Sequence, residues 1–592
     1  MPNQNSSQPM IRRPFTTTAT SILAIAALFL QGCSYLTSQA STETTAAISP
    51  QEQPKAPERP FPAETLYALL VAEMAGSRER YDIALGNYIQ QAHKTRDPGV
   101  AARATRIARY LNARQAALNT ALLWAELSPD DLEARFTAGT ELALSGRLEE
   151  AMTHSNYLLE HRGEGIYQPI AARAESLSNN QREQLIQQYL DLHKQHPKNT
   201  ELLIGLGLLY QQQNQLDDAL TMADKALDID DQLMPAVILE TRLLTILDRQ
   251  DEAIERVSSL LKKHPDNERL RLQYARLLAS TDLEKAEQQF DELLKNSPND
   301  PELIYALALI NNERGDLEDA KGYFLELTAF EHHRSSAYYY LGQIAEKDQQ
   351  WDLALQYFLQ VEPGPDFLRA TYQSTDILVR GGQASAANKR MDVLREQFPE
   401  QAERFYLLEG EVLSNHLQLT DAQKVLSEGL TRFPNSPPLL YSRAMINEQL
   451  DRLDEMEDDL RLIIKTDPDN ATALNALGYT LADRTTRYDE AYVLIAQALE
   501  LKPDDPAILD SMGWVQYRLG NYPEAIMKLQ EAMKAYPDHE IAAHLGEVYW
   551  VSGQREKAEE VWSEGLKLKP NSRVITEAIN RLKAIESTTS NP

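Results

Sequence analysis

The chain has 592 residues, 43% of them hydrophobic and 25% charged, the make-up of a folded soluble protein. Acidic residues outnumber basic ones by 88 to 59, for a formal charge of −29. That balance excludes the basic footprint which nucleic acid requires. It fits basic or polar protein partners, or acid that simply keeps a long chain soluble.

Residues 1–32 read as a signal peptide: Arg12 and Arg13 form the positive region, and the apolar run at 19–30 is too short to span a bilayer. The start can be Met1 or Met10. The run ends in Leu30-Gln31-Gly32-Cys33, which resembles a bacterial lipobox. The resemblance implies cleavage before Cys33, acylation of its thiol, and a lipid-anchored N-terminus. Ser34 follows where an aspartate would retain the protein at the inner membrane, which implies the outer membrane, facing the periplasm. Cys33 is the single cysteine, so no internal disulfide can form even in an oxidising compartment. Residues 33–62, rich in Ser, Thr, Ala and Pro, read as a flexible tether with a reach on the order of 30 Å.

From residue 63 onward apolar residues recur at helical spacing, as in Leu66, Leu69, Leu70 and Met74. A unit of about 34 residues repeats along this body. A glycine-to-alanine step of about twelve recurs at Gly139/Ala151, Gly207/Ala219, Gly342/Ala354, Gly410/Ala422, Gly513/Ala525 and Gly546/Ala558. Proline-led stops at Pro129, Pro197, Pro265, Pro298, Pro434, Pro468 and Pro503 close one unit and open the next. Each unit is two short helices with an apolar face that neither can bury alone, so the units must stack.

These recurring residues closely resemble those of the tetratricopeptide repeat. The small eighth residue lets two helices approach, the alanine at the twentieth place sits at their contact, and an aromatic near the twenty-fourth (Tyr88, Phe290, Phe324, Phe358, Trp562) fills the gap to the next hairpin. All are expected in the core. The expected fold is all-α, an α-solenoid (right-handed superhelix) of about 11–15 such hairpins. The ladder is irregular at 166–199, 268–299 and 437–470, and two prolines at 361–366 cut a second helix short. We place a soft boundary there, giving an N-terminal arm at 63–365 and a C-terminal arm at 366–572. A cap helix and tail follow at 573–592.

No constellation for chemistry stands out. The glycines lie at repeat positions rather than in a phosphate-cradling loop, and no G-x-S-x-G or H-E-x-x-H occurs. His193/His196 and His332/His333 read as solvated helix-end histidines without a third ligand. The run Asp451, Asp454, Glu455, Glu457, Asp458 and Asp459 lacks calcium-loop spacing and reads as a wet helix face. The protein is therefore not expected to be an enzyme or to carry a cofactor or a metal.

In tetratricopeptide arrays the first helix of each unit lines the concave surface at its second, fifth, ninth, twelfth and thirteenth places. Here those places hold Asn475, Tyr479 and Asp483, then Asp510, Trp514, Tyr517 and Arg518, then Glu540, Ala543, Glu547 and Trp550. The aromatics either anchor a bound peptide or pack on the neighbouring hairpin. The family's lysine- and asparagine-rich clamp for a C-terminal carboxylate is largely missing, since only Asn475 and Arg518 remain.

Two longer blocks, residues 65–108 (TLYALLVAEMAGSRERYDIAL onward) and 475–526 (NALGYTLADRTTRYDEA through GWVQYRLGNYPEAI), resemble a family of tetratricopeptide-repeat outer-membrane lipoproteins of gammaproteobacteria. Those proteins are binding partners of a periplasmic carboxyl-terminal processing protease. The resemblance implies an adaptor that binds and activates the protease and presents peptidoglycan cross-link endopeptidases for degradation, so restraining wall hydrolysis. It assigns no residue-level site. The alternative is a scaffold for outer-membrane or secretin assembly, or an activator of a peptidoglycan synthase.

Overall fold

A computed structural model describes residues 61–589. The leader at 1–32, Cys33 and all but the last two residues of the 33–62 segment lie outside the described residues. Among the described residues every regular element is a helix. They form two compact units that divide between Tyr323 and Phe324, within the helix Leu317–Leu327.

The first unit opens with the hairpin Ala63–Gly76 and Tyr81–Thr95 and continues hairpin by hairpin to Glu268–Leu278 and Leu283–Asn296, followed by Pro301–Arg314. The second unit begins its hairpins at Glu331–Lys347 and Trp351–Phe358. It ends with His539–Val551 and Arg555–Leu568, closed by Arg573–Thr589.

The punctuation of the chain explains where helices begin. Two residues after the repeat prolines stands a side chain that caps the next helix: Asp131, Asn199, Asn267, Asp300, Ser436, Asn470 and Asp505 each accept from backbone N–H groups of the first turn. Asp505 accepts from Ala507 and Ile508 at 3.0 and 3.4 Å, and Pro506 behind it needs no N–H partner. Within hairpins the chain reverses through one left-handed residue. Gly520 takes φ 83° without strain, whereas Leu417 is held at φ 59°.

The glycine-alanine rung sets the helix spacing. A Cβ built on Gly513 would stand 2.5 Å from Leu529 Cγ and 3.1 Å from the Ala525 carbonyl oxygen. No larger residue fits there unless the helices separate. Ala219, Ala354, Ala491, Ala525 and Ala558 are buried, as are the inter-hairpin aromatics Tyr88, Phe290, Phe324, Phe358 and Trp562. Met456, which replaces the alanine in its unit, is buried too.

The irregular units are repaired locally. Tyr167–Arg173 is one short helix with a 3-10 turn, and the buried Arg182 guanidinium donates to the carbonyls of Ala174, Glu175 and Leu177 at 3.1–3.2 Å, groups that a longer helix would have satisfied itself. Its partner Asn179–Gln195 starts at a capping box made by Ser178 and Gln181. Trp351–Phe358 is only eight residues long, stopping ahead of Pro363 and Pro365. The closing helix buries Ile575, Ala578 and Leu582 and turns its other faces outward, the polar cap that a repeat array needs. At the opposite terminus the first helix leaves Leu66, Tyr67, Leu70 and Met74 exposed.

Candidate functional site

In the second unit, Ala471–Arg484 packs beside Pro506–Arg518, and His539–Val551 packs beside both Pro506–Arg518 and the closing helix. Side chains three and four residues apart on these first helices therefore share one continuous face.

His544 is the hub of that face. Its Nδ1 donates to the Asp510 carboxylate, with 2.9 and 3.0 Å to the two oxygens, and its ring stacks on Trp514 with centroids 4.3 Å apart. Its Nε2 lies 3.5 Å from the Tyr479 hydroxyl. Burial alone would drive the imidazole neutral. The Asp510 carboxylate, helped by Asp483 and Glu547, outweighs burial and raises the pKa to about 9, so His544 is an imidazolium at neutral pH.

Tyr479 is held far from ionisation by burial and by Asp483, Asp510, Glu540 and Glu448. These four carboxylates come from four successive first helices and act on one hydroxyl. Burial also raises Glu448 and Glu540 above the usual carboxylate range.

The cations lie around the rim. Arg484 donates to Glu448 at 2.7 Å and to Asp451 at 2.6 Å, and Arg581 of the closing helix donates to Glu547 at 2.5 Å. Glu547 also accepts from the Tyr517 hydroxyl at 3.1 Å. Arg518 donates to the Tyr488 hydroxyl at 2.7 Å and lies over that ring. With Asp538 and Lys569, which both act on Glu540, seven carboxylates (Glu448, Asp451, Asp483, Asp510, Asp538, Glu540, Glu547) thus face five cations (Arg484, Arg518, His544, Lys569, Arg581). Three buried polar atoms here have no hydrogen-bond partner among the described residues: Glu448 Oε2, Asn475 Oδ1 and Trp514 Nε1.

Of the residues expected on the concave face, Trp550 and Ala543 fall outside the network, Ala543 being buried with its carbonyl accepting from Trp562 Nε1. Asn475, Tyr479, Asp483, Tyr517 and Arg518 are half-buried, while Asp510, Trp514 and Glu547 are buried within the same network. Trp550 stands apart. It is buried against Trp562, with ring centroids 5.6 Å apart, and the Arg555 guanidinium covers it at 3.9 Å. Trp514 thus packs against the next hairpin and Trp550 within its own, rather than standing out as bare anchors.

Two central groups escape the place-by-place reading. His544 stands at the sixth place of its helix, one beyond the expected fifth, and only the stacking of neighbouring helices turns it onto Asp510. Glu448 does stand at a twelfth place, one hairpin earlier than the helices considered, so the same rule would have found it.

Some polar residues read as solvated are not. In the acidic run, Asp454, Glu455 and Asp458 are exposed, but Asp459 is buried and accepts from Arg443 at 2.9 and 2.6 Å. Glu457 bridges Arg461 and Arg487. His333 is buried, and His193 is half-buried with burial lowering its pKa. Packing against neighbouring helices claims groups that composition alone assigns to water.

Models of the tetratricopeptide repeat match residues 200–233, 248–301, 276–332 and 511–573. The chain is 43% identical over 524 residues to the TPR repeat-containing protein PA4667 of Pseudomonas aeruginosa, covering 88% of this chain and 89% of that one. Among solved structures, Naa15/Naa10 bound to HypK matches over 89% of this chain and 97% of its own, at 12% identity and a TM-score of 0.34. The Thermus thermophilus TPR protein TTC0263 matches over 31% of this chain and 98% of its own, at 19% identity and a TM-score of 0.28.

Proposed function

Since the chain belongs to the tetratricopeptide-repeat family and is related to PA4667 over nearly its whole length, we propose that it is a non-catalytic adaptor of the cell envelope. In this reading it is an outer-membrane lipoprotein held by Cys33 that binds and activates a periplasmic C-terminal processing protease. It presents peptidoglycan endopeptidases to that protease, so restraining wall hydrolysis.

The observation that carries the binding role is the continuous face of first helices, on which aromatic and charged side chains from several hairpins converge on one hub. Such a face engages a partner along its length rather than at one pocket. Holding two proteins on one array raises their effective concentration for each other without any chemistry by the array itself. The block at 475–526, which supports the protease-adaptor family, spans the helices that carry Tyr479, Asp510 and Trp514.

The test is recovery from periplasmic extract with the soluble body, residues 60–592, as bait. A C-terminal processing protease should be retained, and purified protease should cleave a peptidoglycan endopeptidase faster with the chain present. Retention of secretin, barrel-assembly or wall-synthase components alone, with protease turnover unchanged, would overturn the adaptor reading.

A further inference from the structure

We propose that the face built around Tyr479 and His544 receives a lysine- or arginine-bearing extended segment of a partner protein. This rests on the array being a protein-binding surface, and it adds the chemistry of what is bound.

Charge sets the sign. The cluster carries two more carboxylates than cations, in a chain whose net charge is −29. Its internal cations are committed: His544 to Asp510, Arg484 to Glu448 and Asp451, and Arg581 to Glu547. No hydrogen bond or ion pair reaches the Glu540 carboxylate among the described residues; His544 and Lys569 act on it only through space, and it is half-buried beside this network. Half-buried carboxylates interact with an incoming cation at lower dielectric than surface ones, so an ammonium or guanidinium gains more here than on the acidic exterior.

The unpartnered atoms are a second observation, and they call for a polar chain while charge selects a basic one. Glu448 Oε2 belongs to a side chain only 7% exposed, and it lacks a donor, as does Asn475 Oδ1. Trp514, 4% exposed and stacked on the hub, has an indole N–H without an acceptor. Leaving such groups unsatisfied is costly, and a peptide supplies both missing kinds: N–H donors from its basic side chains and carbonyl acceptors from its backbone. An acidic segment would offer the same backbone groups but would meet like charge.

The test uses the purified full chain and a fluorescein-labelled twelve-residue peptide carrying three lysines, followed by anisotropy at about 0.15 M salt, where diffuse attraction is screened. Glu540→Gln and Asp483→Asn should each weaken binding about tenfold. The same charge change made twice on the remote exposed acids Glu149 and Asp251 should leave affinity within about twofold. Thermal unfolding of each variant checks that the fold is kept, and Glu540→Gln, which breaks no observed bond, serves if Asp483→Asn unfolds. Equal losses from the site and remote variants, no measurable binding, or equal binding of a peptide with glutamates in place of the lysines would each overturn the proposal. Peptide binding without protease capture would leave this inference standing and defeat the adaptor reading. Protease capture with no preference for the basic peptide would do the reverse.

Discussion

Within the second unit, the buried carboxylates Glu409 and Asp459 are matched by arginines of the adjacent helix, whereas the cluster around His544 carries an excess of carboxylate. Glu409 is almost fully buried, yet it accepts from both Arg395 and Asn388, and the Arg395 guanidinium lies 3.9 Å over the Tyr406 ring. Asp459 holds Arg443 with two bonds across its own hairpin. In these two pairs only the Arg395 Nε lacks a partner, whereas around His544 it is a carboxylate oxygen, Glu448 Oε2, together with Trp514 Nε1, that is unpaired, and carboxylates are in excess. The difference separates two uses of buried charge. Closed pairs specify how one helix sits on the next, while an open cluster keeps polar capacity for something that is not part of the chain.

The largest test of that comparison removes one side of a closed pair. Arg395→Leu leaves Glu409 buried with Asn388 alone and should cost about 3–5 kcal/mol in urea unfolding followed by tryptophan fluorescence. A loss well under about 1 kcal/mol would mean that the pair is not a structural element.

A second test is pH. The folded pKa of His544, about 9, lies above its ordinary value of 6.5, so the folded state binds that proton more tightly. The stabilisation is fully present below pH 6.5 and lost as pH rises through 9, a change on the order of 3 kcal/mol. Asp510→Asn should flatten this window, whereas Asp459→Asn should leave its pH profile in place while lowering stability throughout. A flat profile in the unsubstituted chain would remove His544 as the charged hub.

Smaller effects separate helix punctuation from both systems. Asp505→Ala removes the cap of the helix that carries Asp510 and Trp514 and should cost about 1 kcal/mol at every pH. Leu417→Gly relieves a left-handed residue and should stabilise by up to about 1 kcal/mol, with no effect on peptide binding. A change in binding with either variant would show that the cluster responds to helix placement at a distance.

Much of the architecture was legible because the repeat leaves marks in local chemistry. Gly513 and Ala525 announce a close helix contact, and Pro503 with Asp505 announces a helix start, each within a few residues of chain. The site was legible in part. Asp510, Trp514 and Tyr517 lie where the repeat puts inner-face residues, but His544 required knowing which side chain of one hairpin reaches the next. Likewise nothing local distinguishes Asp459 from Asp458, which sit side by side, one gripping Arg443 in the core and the other in solvent.

The sequence by itself determined that this chain is a stacked array of helical hairpins, where the proline-marked units begin, and which small residues form its rungs. Those properties depend on backbone geometry and contacts close along the chain. Tertiary structure alone decided which polar residues became closed pairs, which tryptophans were packed away, and which carboxylates converged on His544. These outcomes depend on side chains distant in the chain, 14 residues apart for Arg395 and Glu409 and 65 for Tyr479 and His544, meeting within and across stacked hairpins, at a register that spacing implies but local sequence does not specify.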